Sequence, residues 1–178
     1  GEVRQVGAQL GEKAVREGAL AAAIGGALVL LFAAFYYRVS GILADLSLLL
    51  NVVLVMGLLV AIGATLTLPG ICGIALTVGM AVDCNIIVFE RIREELRAGR
   101  GPGAAIDAGF DRAFWAVFDG NVTTLLAGVV LYSYGSGPLK GFAVTLMIGI
   151  FTTLYTGVFV TRTLMELAAA RLGPRLSI

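Results

Sequence analysis

The apolar residues of this chain arrive in blocks, and the length of those blocks limits the possible folds more than any other feature. Ala19–Tyr37, Leu43–Leu66, Pro69–Phe89, Phe114–Tyr134 and Phe142–Leu164 are each mainly apolar. A helix crossing a bilayer needs about 20 such residues. With 58% hydrophobic and 14% charged residues, too little polar surface remains to solvate a globule made of these blocks. The expected fold is all-α: a polytopic transmembrane bundle of five helices, with no sizeable soluble core.

Lys and Arg mark the cytoplasmic side of such bundles. Five crossings put Arg4, Lys13, Arg16 and Lys140 on one side. The other side holds Arg38, Arg91, Arg93, Arg97, Arg100, Arg112, Arg162, Arg171 and Arg175. The larger group places the C-terminus in the cytoplasm and the N-terminal segment outside. Interfacial aromatics agree, with Tyr36, Tyr37 and Trp115 at the inner boundary and Tyr132 and Tyr134 at the outer one.

Residues 1–18 are polar and begin without Met, and they are expected to be a linker from a segment outside the membrane, so the sequence reads as a fragment of a larger protein. Residues 19–166 form the expected bundle and residues 167–178 a cytoplasmic tail. Between the third and fourth blocks, residues 90–113 suggest an amphipathic elbow in the inner interface. Its first part, Glu90–Ala98, has Arg91 and Glu95 at i,i+4 spacing. Gly99-Arg-Gly-Pro-Gly103 then breaks the helix.

Asp83 lies inside the third block, in Gly79-Met-Ala-Val-Asp-Cys-Asn-Ile-Ile-Val-Phe-Glu-Arg91. A carboxylate at the bilayer centre costs about 2.5–3.5 kcal/mol on insertion scales, so such a residue is a functional-site hypothesis by default. Cys72, Ala75, Gly79, Asp83, Ile87 and Glu90 follow i+3/i+4 spacing, so Asp83 sits on a small-residue stripe that another helix can approach closely. The fourth block carries Asp119, Asn121, Thr123 and Thr124. The fifth carries Gly141, Thr145, Gly149, Thr152, Thr153 and Thr156 along one face, and Asn51 adds a polar group to the second. Together with Asn85 these residues suggest a hydrated interior seam. Asp45, near the inner boundary, reads as an ordinary helix-start carboxylate.

Asp83 lies seven residues inside Glu90, and Asp119 seven inside Arg112, so both belong roughly 10 Å from the inner boundary. Three readings follow. One is a proton or cation relay, since burial favours a neutral carboxyl and a nearby charge or water favours the ionised one. A second is an intramembrane aspartyl protease with two carboxylates sharing a proton. The third is hydrogen bonding between helices with no chemistry. The chain has no His, which excludes a His shuttle or a His-ligated metal. Cys72 and Cys84 are 12 residues apart on one expected helix, about 18 Å of rise, too far to bridge. No Ser/His or Cys/His set, phosphate loop or metal cluster is visible, and neither an enzyme nor a nucleic-acid partner is expected.

The runs Leu66-Thr-Leu-Pro-Gly-Ile71 and Gly79–Gly99 resemble the SecD protein-export family, as do Asn121-Val-Thr-Thr124, Gly137-Pro-Leu-Lys-Gly-Phe-Ala-Val-Thr145 and the opening Val6-Gly-Ala-Gln-Leu-Gly11. Ala8 stands where the family usually has Pro, and Cys84 where it usually has Ala. The resemblance implies helices two to six of a SecD subunit of the RND type, half of a twelve-helix bundle completed by SecF. It implies no cofactor, only a coupling ion, H+ or Na+, with Asp83 matching the family's ion-conducting Asp. Asn85, Asp119, Asn121 and Thr124 support it. The implied partners are SecF, the SecYEG translocon, YajC, the translocating preprotein and membrane lipid, and the implied location is the bacterial cytoplasmic (inner) membrane. The alternative within the same architecture is another RND-type exporter half, moving lipid or a small molecule.

Overall fold

The computed structural model describes residues 2–64 and 67–172. Gly1, residues 65–66 and half of the expected tail, residues 173–178, lie outside the described residues. Every element among them is helical: α1 (Glu2–Ala61), α2 (Leu68–Arg97), α3 (Pro102–Tyr134) and α4 (Pro138–Leu154). A π-helical segment (Tyr155–Val160) then leads into α5 (Thr161–Leu172). α4, the π segment and α5 form one rod.

Local chemistry sets the breaks. Thr67 caps α2 by accepting the Gly70 N–H at 3.2 Å, and Pro69 occupies its first turn, where a missing N–H leaves nothing unsatisfied. α2 ends where Gly99 takes a φ of 86°, a conformation open to glycine without penalty. Gly137 does the same with φ 47° before Pro138 opens α4.

Among the described residues four helices are long and apolar enough to cross a membrane, Lys13–Ala61, Leu68–Arg97, Pro102–Tyr134 and Pro138–Arg171, rather than the expected five. The difference lies at Arg38, because the first two expected spans share α1. Arg38 has φ 51° and ψ −114°, the one non-glycine residue of positive φ among those described. Hydrogen-bonded helix continues on both sides of this single residue, with no loop. The two limbs are not collinear. A methyl group on Gly41 would meet the carbonyl of Ala33, although eight residues of straight helix rise about 12 Å. A groove of about 960 Å³ is lined by residues 18–30 of one limb, 48–52 of the other and 71–79 of α2.

The stretch expected to form an elbow is divided between two long helices. Residues 90–97 complete α2, residues 98–101 form the break, and residues 102–113 are the first turns of α3. Here the main hydrophobic cluster forms from Tyr37 and Ala44 of α1, Val88, Phe89 and Ile92 of α2, Ile106, Phe110 and Ala113 of α3, and Met165 of α5. The amphipathic pattern of the elbow therefore buries its apolar side against protein.

Candidate functional site

α2 presents two different faces. Gly73 and Thr77 are buried against α4, where a Cβ on Gly73 would lie 3.2 Å from Thr145 Cβ and a Cβ on Gly149 would meet the Thr77 side chain. On the other face Cys72, Ala75, Gly79 and Asp83 are exposed, and nothing lies within 4 Å of where a Gly79 Cβ would be. The small-residue stripe is thus open surface within the described residues.

Asp83 opens onto a cleft of about 160 Å³ between α2 and α3, which Cys84, Gly120, Asn121 and Thr124 also line. Among the described residues Asp83 makes no hydrogen bond and no ion pair. Thr124 Oγ1 donates to the Gly120 carbonyl at 3.0 Å. Buried Asn121 donates to the Val117 carbonyl at 2.7 Å, and its Oδ1 has no partner. One carboxylate and two polar side chains of the neighbouring helix therefore share an open cleft.

The structure does not bring the other expected residues to this cleft. Asp119 is exposed and outside its lining, and its carbonyl accepts from Thr123 Oγ1 at 2.9 Å. A proton shared by two carboxylates needs them in contact, and no contact joins Asp83 to Asp119 among the described residues. Asn85 is buried on a different side of α2, where Thr161 Oγ1 lies 3.1 Å from its Oδ1.

The expected single seam is accordingly two separate polar sites. The second one is enclosed. Asn51 Nδ2 donates to Thr153 Oγ1 at 3.1 Å and Thr156 Oγ1 at 3.0 Å, and Ser47 Oγ donates to the Thr156 carbonyl at 3.1 Å. Thr161 Oγ1 lies 2.9 Å from Ser47 Oγ. The sequence reading passed over Ser47 and Thr161. Ser47 precedes Asn51 by one helical turn, a signal that was available. Thr161 follows Thr156 by five residues, roughly 140° around an α-helix, and only the π turn brings them together.

A chain of membrane-length apolar helices carrying these internal polar sites is a multi-pass helical membrane protein. The protein-family description "Protein export membrane protein SecD/SecF, C-terminal" matches residues 1–171. The protein translocase subunit SecD of Anaeromyxobacter dehalogenans is 53% identical over 177 residues, 99% of this chain and 29% of that protein. The SecD subunit of Desulfurispirillum indicum is 54% identical over 166 residues, 93% of this chain and 32% of that one. The crystal structure of SecDF, a translocon-associated membrane protein from Thermus thermophilus, superposes with a TM-score of 0.84 at 43% identity. It covers 90% of this chain and 22% of its own. The chain belongs to the SecD/SecF protein-export family, and it spans about a third of the length of the curated relatives it matches.

Proposed function

We propose that this chain is the membrane part of a SecD-type subunit, a non-enzymatic component that assists Sec-dependent protein translocation using an ion gradient. What carries the reading is Asp83, a carboxylate without a partner among the described residues, on the exposed small-residue face of a membrane-length helix, beside Asn121 and Thr124. The relatives' name supplies the process, translocation. The ion, H+ or Na+, is proposed from the resemblance to the SecD family, and a carboxylate in a membrane suits either one.

In this reading the chain crosses the bacterial inner membrane five times, reversing at Arg38, with the α2–α3 turn and the C-terminus in the cytoplasm. SecF covers the face from Cys72 to Asp83, and the pair acts beside SecYEG, with YajC as a further partner, on a preprotein emerging from it. Neutralising Asp83 removes the penalty of a charge in lipid and lets the two halves pack more closely across Gly79. Losing the ion toward the cytoplasm restores the first arrangement. A membrane potential supplies about 2.3 kcal/mol per charge per 100 mV, enough to shift a two-state equilibrium more than tenfold.

The test is gradient-dependent preprotein export in inverted vesicles holding the full-length protein. Asp83→Asn is expected to abolish the gradient-dependent part, and Asp119→Asn to retain most of it. Normal export by Asp83→Asn would leave this bundle as a scaffold, because Asn keeps the hydrogen bonding without the titration. Equal loss in both variants would return the paired-carboxylate reading.

A further inference from the structure

Oxygen atoms outnumber the protons available to them where α1, α2 and the π segment meet. Ser47, Asn51, Asn85, Thr153, Thr156 and Thr161 are all buried there, each with at most 4% of its surface exposed. Thr161 Oγ1 has three oxygen neighbours, Ser47 Oγ at 2.9 Å, the Thr156 carbonyl at 3.0 Å and Asn85 Oδ1 at 3.1 Å, and one proton to give. The Thr156 carbonyl already accepts the Thr161 backbone N–H and lies 3.1 Å from Ser47 Oγ.

One turn away the same shortage recurs. Thr156 gives its single proton to the Thr152 carbonyl at 2.9 Å, so its oxygen can only accept from Asn51. That fixes the amide with Nδ2 toward the threonines and leaves Asn51 Oδ1 buried without a partner. A buried acceptor left unpaired is costly, and a cluster with surplus lone pairs suits an electropositive guest.

The chemistry of the donors narrows the guest. All are neutral oxygens, from hydroxyls, amides and one main-chain carbonyl in a π turn. Divalent ions prefer carboxylates, whereas transporter sites for sodium combine carbonyls of irregular helix with neutral side-chain oxygens. The spacings of 2.9–3.1 Å among Thr161 Oγ1, Ser47 Oγ and the Thr156 carbonyl suit a small ion better than potassium. Binding an ion there requires Ser47 and Thr161 to turn their protons away from the Thr156 carbonyl and to offer lone pairs inward, as Thr156 does by donating to the Thr152 carbonyl.

We propose that Ser47, Asn85, Thr161 and the Thr156 carbonyl, backed by Asn51, form a dehydrated site for a small monovalent cation, sodium, clamped between α1, α2 and the π segment. This goes beyond the role given to Asp83, which opens onto a separate cleft, and it stands whichever ion Asp83 handles. A bound ion ties three helices together and holds the π turn in register, so sodium stabilises the folded bundle by mass action.

The test uses the full-length protein in lipid nanodiscs, unfolded thermally in sodium, potassium and choline chlorides at equal ionic strength, with binding of radiolabelled sodium measured alongside. Saturable sodium binding is expected, with unfolding raised by roughly 3 °C in sodium over choline and by less in potassium. Thr161→Val and Ser47→Ala should lose both effects, while Thr161→Ser and Asp83→Asn keep them. Ser47→Ala removes one oxygen only and carries the test if Thr161→Val fails to fold. Identical unfolding in all three salts means an ordered water only and overturns the proposal. A sodium effect lost in Asp83→Asn but kept in Thr161→Val and Ser47→Ala moves the ion to the carboxylate and overturns it equally.

Discussion

Glu95 is the one charged residue that is buried among the described residues. Its carboxylate is 4% exposed and pairs with Arg100 at 2.8 Å and Arg112 at 2.5 Å, both half-exposed or more. Desolvation therefore falls mainly on Glu95, and the arginines offset it. Removing both partners strands a buried charge, whereas removing the charge leaves two solvated arginines. Arg100→Ala with Arg112→Ala should cost about 2–3 kcal/mol in thermal unfolding, and Glu95→Gln clearly less. Equal stability of the double variant and the wild type would mean that Glu95 is solvated and that the clamp does not exist. Sequence spacing pairs Glu95 with Arg91 at i,i+4, but Arg91 instead meets Glu94 at 2.7 Å, because Glu95 turns inward. The same limit applies to Asp83, Asn85 and Asp119. Their depth along a helix can be counted from the sequence. Which side of the helix finds a neighbour cannot, and that decides that Asp83 shares a cleft with Asn121 while Asn85 and Asp119 do not.

At the level of helices, close approach is bought with missing side chains, and two glycines show different versions of it. A Cβ on Gly149 would meet Oγ1 and Cγ2 of Thr77, which are side-chain atoms. A Cβ on Gly109 would meet the Ile92 side chain but also its backbone N at 2.8 Å and Cα at 2.9 Å. Both substitutions to Ala overpack the interface, at about 1–3 kcal/mol. Thr77→Gly, which also removes the Cβ that would lie 2.9 Å away, should rescue Gly149→Ala in a double-mutant cycle, and Ile92→Ala should fail to rescue Gly109→Ala, because main chain cannot be trimmed. Rescue at both sites would show that α2 and α3 can slide apart at little cost. The helices themselves were legible from block length, since lipid leaves the backbone no other partner. The π turn at Tyr155–Val160 was not, because it changes backbone geometry without a proline or a break in hydropathy to mark it, whereas Arg38, which separates the first two apolar blocks, marks where α1 kinks.

Taken whole, the bundle is packed unevenly. α2 is central, with α1, α3 and α4 all against it, yet Cys72, Ala75 and Gly79 stay exposed along the groove it shares with α1, and Asp83 stays exposed at the cleft it shares with α3. The buried cluster sits toward the α2–α3 turn, and Arg162 braces that end by reaching Asp107 at 3.0 Å and Glu166 at 2.8 Å. One end is thereby fixed by core and charge, while the open face is free to meet another subunit. If the SecF half covers it, Gly79 is where the two backbones come nearest, since a Cβ there now meets nothing. In a Cys72→Ser background, Gly79→Cys should react with a membrane-permeant thiol reagent in the chain alone and be protected at least tenfold when SecF is co-expressed. Gly79→Trp should prevent co-purification with SecF while leaving thermal unfolding of this bundle within a few degrees of wild type. Labelling at the same rate with and without SecF would place the partner elsewhere and leave Asp83 at the α2–α3 cleft with no second subunit over it.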